Sequence, residues 1–350
     1  MIRHLSARLA LQIFVLGLIL LAFQALWAKD FDDGQLGHIG YPDWFEANPF
    51  NDLQEVLDEA GSNGKKGLMV LFTTEGCSYC ARFIRKSLGD PALSAQVQAK
   101  FAAVGLEIFD DREMTDPHGK PTAVKQFAQD ERAEFAPTLL FYGKDGQRLL
   151  RQVGYQSPER FQGILDYLIG GQVDKESLRD YFNRLAAQQP ASSANERLKG
   201  DPLFGQPPYA LDRSGFPAEQ PLLLIFEKPG CAECDEFHAD VLAVKEVRDL
   251  LGQFEIVRLN ADDEKTPLVA PDGVRTTPAT WFNQTAFSRL PALVFFDERG
   301  NEVLKTDALV RQARMLNSLN FVLQRAYEKG WTYQRFARTT AIEKLNNKQQ

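Results

Sequence analysis

Residues 68–80, LMVLFTTEGCSYC, join a short apolar run to two cysteines that are separated by two residues. Residues 222–234, LLLIFEKPGCAEC, repeat this order. A short apolar run that ends at turn-forming residues is typical of a buried strand. Each stretch therefore predicts a buried strand that is followed directly by a Cys-x-x-Cys pair.

The two stretches belong to an internal repeat, because an offset of 154 residues places Cys77 on Cys231 and Cys80 on Cys234. Unrelated cysteine pairs would not keep other landmark residues aligned in the same order. The chain therefore predicts two copies of one fold. The further matches are Phe72 with Phe226, Gly76 with Gly230, Phe83 with Phe237, Pro137 with Pro291, Phe141 with Phe295, Gly146 with Gly300 and Phe182 with Phe336.

Each copy also predicts the same succession of elements. A helix follows the cysteines, then a strand, an insertion, a strand opened by proline, a hairpin and an amphipathic helix. This order predicts an α/β fold in each copy, with a central mixed sheet flanked by helices. The later strands and closing helices are predicted at about 101–109, 137–142 and 158–168 in the first copy, and at about 254–259, 291–296 and 309–327 in the second.

Length and composition agree with two soluble domains. A chain of 350 residues is too long for one ordinary core, and 44% hydrophobic residues suffice for packed interiors. We predict domains at 43–186 and 221–340, joined by a proline-rich linker at 187–220. A net charge of -7 argues against nucleic acid as a partner, since nucleic-acid sites are normally basic.

The amino terminus has the pattern of an export segment. Arg3 and Arg8 precede residues 9–28, which carry no formal charge, and acidic residues follow. This charge order directs everything from Lys29 outward. Residues 1–28 are thus predicted to be a cleaved signal peptide or a membrane anchor. We expect the protein to contact the membrane only through this segment. The rest of the chain is predicted to be periplasmic or otherwise extracytoplasmic.

The two pairs use all four cysteines of the chain, so none remains to staple distant segments. A cysteine at the start of a helix is favoured as a thiolate by the helix dipole. We therefore predict Cys77 and Cys231 as nucleophiles. Cys80 and Cys234, one helical turn later, would resolve the mixed disulfides.

Metal binding and simple peptide binding are the competing interpretations. Two Cys-x-x-Cys knuckles of a zinc site normally lie close in sequence, which these pairs do not. His238 could extend a cluster with Cys234, but a histidine on a helix face is more often solvated. A non-catalytic peptide-binding or chaperone module is the main alternative, and two intact cysteine pairs argue against it.

These residues resemble the thioredoxin superfamily, and within it the exported thioredoxin-like proteins encoded with bacterial sulfur-oxidation genes. The resemblance rests on Gly76-Cys77-Ser78-Tyr79-Cys80, on Ala136-Pro137-Thr138 and on the segment 289–297. It implies a tandem thioredoxin-like oxidoreductase with no metal and no organic cofactor. Its partners would be exported protein thiols or disulfides and a redox donor, in sulfur oxidation or cytochrome maturation.

The resemblance also assigns a cis peptide bond before Pro137 and before Pro291, beside each redox pair. An ordinary proline at a strand entry is the alternative. In the cis interpretation, the backbones of Ala136 and Leu290 would pair with an extended substrate segment.

The chain departs from the family where many members carry a buried aspartate before the first cysteine, since Leu71 and Ile225 occupy those positions. A proton acceptor must then come from water, Glu75 or Glu227. The flanking charges differ as well, because Arg82, Arg85 and Lys86 follow the first pair whereas Glu233, Asp235 and Glu236 surround the second. We expect Cys77 to be the more acidic thiol and the first pair the more oxidising one, unless solvent screens these charges.

Overall fold

The computed structural model describes residues 31–47, 52–133, 135–187, 198 and 200–348, with side chains to residue 343. The predicted export segment at 1–28 lies outside the described residues, as does most of 188–199. Among the helices that are described, none combines the length and the apolar character needed to cross a bilayer.

The first domain contains one four-stranded sheet, one small hairpin and helices on both sides. Its elements are α1 Leu53–Ser62, β1 Gly67–Thr73, α2 Ser78–Arg82, α3 Pro91–Lys100, β2 Phe101–Glu107, β3 Glu113–Thr115, β4 Pro121–Ala123, α4 Val124–Asp130, β5 Thr138–Gly143, β6 Arg148–Val153, α5 Pro158–Ile169 and α6 Leu178–Ala187.

From its first strand onward the second domain repeats this order, although residues 200–221 contain no counterpart of α1. Its elements are β7 Leu222–Glu227, α7 Ala232–Phe237, α8 Lys245–Leu251, β8 Glu255–Asn260, β9 Leu268–Val269, β10 Arg275–Thr276, α9 Pro278–Gln284, β11 Ala292–Phe296, β12 Glu302–Thr306, α10 Gln312–Leu323 and, after a 3₁₀ turn at Ala326–Lys329, α11 Tyr333–Lys348.

The two large sheets have the same topology, with the orders β2-β1-β5-β6 and β8-β7-β11-β12. In each sheet the central strand runs parallel to one neighbour and antiparallel to the other. Strands β1 and β7 are buried along their whole length, because helices cover both faces. The predicted fold class, two tandem domains that each contain a mixed sheet flanked by helices, is confirmed.

Two local features were not visible in the sequence pattern. A π-helical turn follows each cysteine pair, at Phe83–Ser87 and at His238–Leu242. Each predicted insertion also contains a short antiparallel hairpin, β3-β4 or β9-β10. These strands have two or three residues, which is too short for a period of two to be recognised.

The domains pack against each other, which the repeat alone does not predict. Phe135 of the first domain stacks on Tyr333 of the second, with ring centroids 5.1 Å apart. Part of the predicted linker also packs on the second domain, where Phe204, Leu211 and Arg213 are buried. The two redox pairs therefore lie in domains that share a packed interface, rather than in two domains joined only by a linker.

Candidate functional site

Each cysteine pair forms a disulfide at the start of a helix. The first cysteine is the N-cap residue, and its sulfur accepts a hydrogen bond of 3.1 Å from the backbone N–H of the second, in both domains. The sulfurs are bonded at 2.13 Å in the Cys77–Cys80 pair and 2.09 Å in the Cys231–Cys234 pair. In the reduced protein the same N–H group would stabilise a thiolate on the first sulfur.

The first cysteine is the more exposed one in each pair. Cys77 is 9% exposed and Cys80 is fully buried. Cys231 is partly exposed, whereas only 4% of Cys234 is accessible. An outside molecule can therefore reach the first sulfur before the second, which fits the predicted roles of nucleophile and resolving cysteine.

The sheet places the two prolines beside the cysteines. The Ala136–Pro137 and Leu290–Pro291 bonds are cis, the form that the resemblance assigns to them. Both prolines stand just before strands that pair with the end of the central strand, through Phe72 with Thr138 and Phe226 with Ala292. Since the central strands lead into the cysteines, Ala136 and Leu290 lie at the same edge as the disulfides.

The first site is surrounded by parts of the chain that are distant in sequence. The hydroxyl of Tyr79, between the two cysteines, donates to Asp33 at 2.7 Å and accepts from the N–H of Arg311 at 2.9 Å. The guanidinium of Arg314 lies 3.4 Å from the centre of the Tyr79 ring. Burial raises the pKa of Tyr79 well above its ordinary value, so the phenol is neutral and acts as a donor.

Asp33 joins the amino-terminal segment to the second domain. Its carboxylate accepts from the N–H groups of Ala313 and Arg314, both at 2.9 Å, and so caps helix α10 from outside. The N-cap residue of that helix makes no side-chain cap of its own. A carboxylate at a helix start satisfies donors that otherwise lack partners and complements the helix dipole.

We expect Asp33→Ala to lower the free energy of unfolding by about 2 kcal/mol, because it removes a helix cap and the acceptor for Tyr79. Urea unfolding of the whole chain measures this change. The neighbouring Asp32→Ala is the matched control, since Asp32 is exposed and its bonds to described residues all lie within its own turn. We expect it to change stability by less than about 0.5 kcal/mol. Equal losses in the two variants would contradict the capping role.

The second site has a charge environment that the sequence did not reveal. A guanidinium nitrogen of Arg289 lies 3.1 Å from a carboxylate oxygen of Glu233. The guanidinium nitrogens of Arg311 lie 3.9 Å from a carboxylate oxygen of Glu236 and 2.7 Å from one of Asp240. Both arginines come from segments remote from the cysteines. They offset the acidic residues that were expected to raise the pKa of Cys231. A lower pKa for Cys77 than for Cys231 stays a prediction. Because arginines pair with the acidic residues near Cys231, we expect the difference between the two pKa values to be smaller.

Only one of the two glutamates considered as proton acceptors is buried. Glu75 is 57% exposed and lies 3.3 Å from His38, whereas Glu227 is 2% exposed and lies 2.7 Å from His238. The interpretation of His238 as a solvated side chain is wrong, because this bond and the ring of Phe204 hold it. The equivalent position in the first domain is Thr73. A buried carboxylate therefore accompanies the second redox pair alone within the described chain.

A comparison with protein-family models agrees with this repeated architecture. The family model of the thioredoxin-like domain matches residues 53–169 and again 217–323. No curated protein matches the chain in a sequence search. Among solved structures, a thioredoxin-fold protein from Helicobacter pylori is 20% identical, with 40% of this chain and 92% of that chain covered and a TM-score of 0.33.

Two further solved structures are similar over about a third of the chain. A thioredoxin from Thermus thermophilus is 25% identical, covering 33% of this chain and 82% of that chain with a TM-score of 0.27. The reduced DsbD C-terminal domain from Neisseria meningitidis is 16% identical, covering 30% and 83% with a TM-score of 0.23. Because one family model matches both halves, the chain belongs to the thioredoxin-like domain family and carries that domain twice.

Proposed function

We propose that this protein is an exported thiol–disulfide oxidoreductase that exchanges disulfides with partner proteins. One observation carries the proposal: in both domains a Cys-x-x-Cys disulfide caps a helix, with the first sulfur more exposed than the second. The charge pattern of residues 1–28 supports export.

The proposed reaction uses the two sulfurs in turn. The thiolate of the first cysteine attacks a partner disulfide, forms a mixed disulfide and releases one partner thiolate, which takes up a proton. The second cysteine then loses its proton and attacks the first sulfur, which closes the protein disulfide and releases the second partner thiol. Two electrons pass from the protein to the partner, and the reverse sequence oxidises a partner dithiol.

At the second site, the surroundings of Leu290 support binding of a protein segment. A cavity of about 940 Å³ is lined by residues of both domains, among them Leu290 and Pro291 of the second domain and Tyr155 of the first, together with Phe31. None of the residues that the structure describes bonds to the backbone of Leu290. An extended segment could pair with this backbone as an added strand.

The partners belong to the same proposal. They would be exported proteins with thiols or disulfides, together with a donor that returns electrons to the cysteines. Sulfur oxidation and cytochrome maturation are the pathways that the sequence resemblance favours. Glu227 is buried at the end of the strand that leads into the second pair, and it bonds to His238. This supports a proton-transfer role for Glu227, since Cys234 must lose a proton to resolve a mixed disulfide.

Insulin reduction by dithiothreitol tests the activity. We expect the wild type to accelerate this reduction. In the variant with both Cys77→Ser and Cys231→Ser, we expect the acceleration to fall by at least about three orders of magnitude, because both nucleophiles are gone. Unchanged unfolding of the variant in urea shows that the fold is retained. Full acceleration by the folded double variant would instead favour a peptide-binding module.

A further inference from the structure

The backbone beside the first redox pair is already occupied by the second domain. The N–H of Ala136 donates to the side-chain oxygen of Gln334 at 3.1 Å, and the carbonyl of Ala136 accepts from the guanidinium of Arg314, also at 3.1 Å. Gln334 and Arg314 are 8% and 5% exposed, so these bonds lie within the domain interface. An extended protein segment cannot pair with Ala136 while they persist.

Further contacts hold Arg314 in place. Its guanidinium also donates to the carbonyl of Leu309 at 2.9 Å, and it lies over the rings of Tyr79 and Phe135 at 3.4 and 4.6 Å. Moving it would break charge-assisted hydrogen bonds and two cation–π contacts together. The block at Ala136 is therefore a packed part of the fold rather than a loose side chain.

Cys77 nevertheless faces a cavity of about 420 Å³. One wall is the segment 33–38, which pairs with the active-site loop through the N–H of Gly37 and the carbonyl of Gly76 at 3.2 Å. Residues of α10 and α11 also line the cavity, among them Asn317 and Arg338. Both this cavity and the one beside Leu290 have volumes in the range of small-molecule sites, about 300–1,000 Å³. The two sites differ because the backbone of Ala136 is occupied, whereas none of the described residues bonds to that of Leu290.

We propose that the first redox pair exchanges with small organic disulfides and thiols, while the second pair exchanges with proteins. This inference rests on the oxidoreductase function proposed above. The cavity is lined by charged and polar side chains, among them His38, Glu75 and Arg338, which suit a polar compound of amino-acid to short-peptide size.

The proposed step balances in atoms and electrons. The Cys77 thiolate attacks one sulfur of R–S–S–R, a bond from Cys77 to R–S forms, and the other R–S⁻ leaves and is protonated. Cys80 then loses its proton and attacks the Cys77 sulfur, so the Cys77–Cys80 bond forms and a second R–SH leaves. Two electrons pass from the protein dithiol to the small disulfide.

Two variants of the full chain separate the sites, one with Cys231→Ser and Cys234→Ser and one with Cys77→Ser and Cys80→Ser. Each is reduced, freed of reductant and mixed with hydroxyethyl disulfide or with insulin, and thiol loss is followed over time. For each variant we divide the rate with hydroxyethyl disulfide by the rate with insulin. We expect this ratio to be at least about 100-fold higher for the first pair than for the second. A protein can pair with Ala136 only in molecules in which Gln334 and Arg314 have moved away, and such molecules are rarely populated.

A cavity-filling substitution tests the pocket itself. Asn317→Trp, in the chain that retains both pairs, is expected to slow oxidation of the first pair by hydroxyethyl disulfide at least about 10-fold, because the indole occupies the space before Cys77. The second pair in the same molecule should react as before, which shows that the fold is intact. Gln312→Trp is the control, since Gln312 is exposed on the same helix and does not line the cavity.

The outcomes separate this inference from the general function. Equal rate ratios at the two pairs, or an unchanged first pair in Asn317→Trp, would overturn the assignment of small disulfides and leave the oxidoreductase proposal standing. If neither pair reacted with either disulfide, both proposals would be overturned.

Discussion

In a chain whose first pair is replaced by serines, Cys234→Ala is expected to stop turnover and to leave a protein covalently attached to Cys231. Cys234 is 4% exposed and belongs to the same helical turn as Cys231, so it is the sulfur placed to break the mixed disulfide. Without it, release depends on outside thiol. We expect the release rate to fall by at least about three orders of magnitude.

Mixing the reduced variant with insulin and separating the products on a non-reducing gel measures this effect. A band that contains both proteins, and that disappears with dithiothreitol, is the expected result. The matched variant carries Cys80→Ala in a chain whose second pair is replaced by serines. It should retain hydroxyethyl disulfide as a small adduct on Cys77, visible by mass spectrometry, and little insulin. Turnover at the parent rate in the Cys234→Ala protein would contradict the resolving role.

Replacing Glu227 with alanine is expected to cause the largest loss of stability among the ion-pair variants. Glu227 is 2% exposed and lies 2.7 Å from His238 and 3.7 Å from Arg258. Glu227 is the buried member of this ion-pair cluster, and breaking a buried ion pair by removing one partner is strongly destabilising. We therefore expect the free energy of unfolding to fall by about 3 kcal/mol or more.

Glu75→Ala provides the matched comparison, because Glu75 also pairs with a histidine but at the surface. The side chains of Glu75 and His38 are 57% and 89% exposed. Exposed pairs contribute little, so we expect a change within about 0.5 kcal/mol. Urea unfolding of both variants at neutral pH measures the difference. Similar losses in the two would show that burial of Glu227 does not control its contribution.

The sequence determined the repeated fold for a local reason. The strands at 68–72 and 222–226 are buried on both faces and therefore consist of consecutive apolar residues. Such a run can be recognised from a few neighbouring residues of the sequence. The cysteines at helix starts and the prolines before β5 and β11 follow from the same repeat. Strand order and the edge at which Ala136 and Leu290 meet the disulfides were predictable through the family resemblance, since pairing partners are far apart in sequence.

The sequence showed that the charges beside the two cysteine pairs differ, but the tertiary structure decided which distant residues meet them. Arg289 approaches Glu233, Glu227 meets His238, and Asp33 caps a helix that begins at Gln312. The members of each pair lie on different elements of the chain. Helical and strand periodicity relates residues within one element, so it could not predict these contacts. The same holds for Gln334 and Arg314, which reach Ala136 only because the second domain docks on the first. The local pattern thus determined two similar redox sites. The domain interface decided that the backbone of Ala136 is occupied, whereas none of the described residues bonds to the backbone of Leu290.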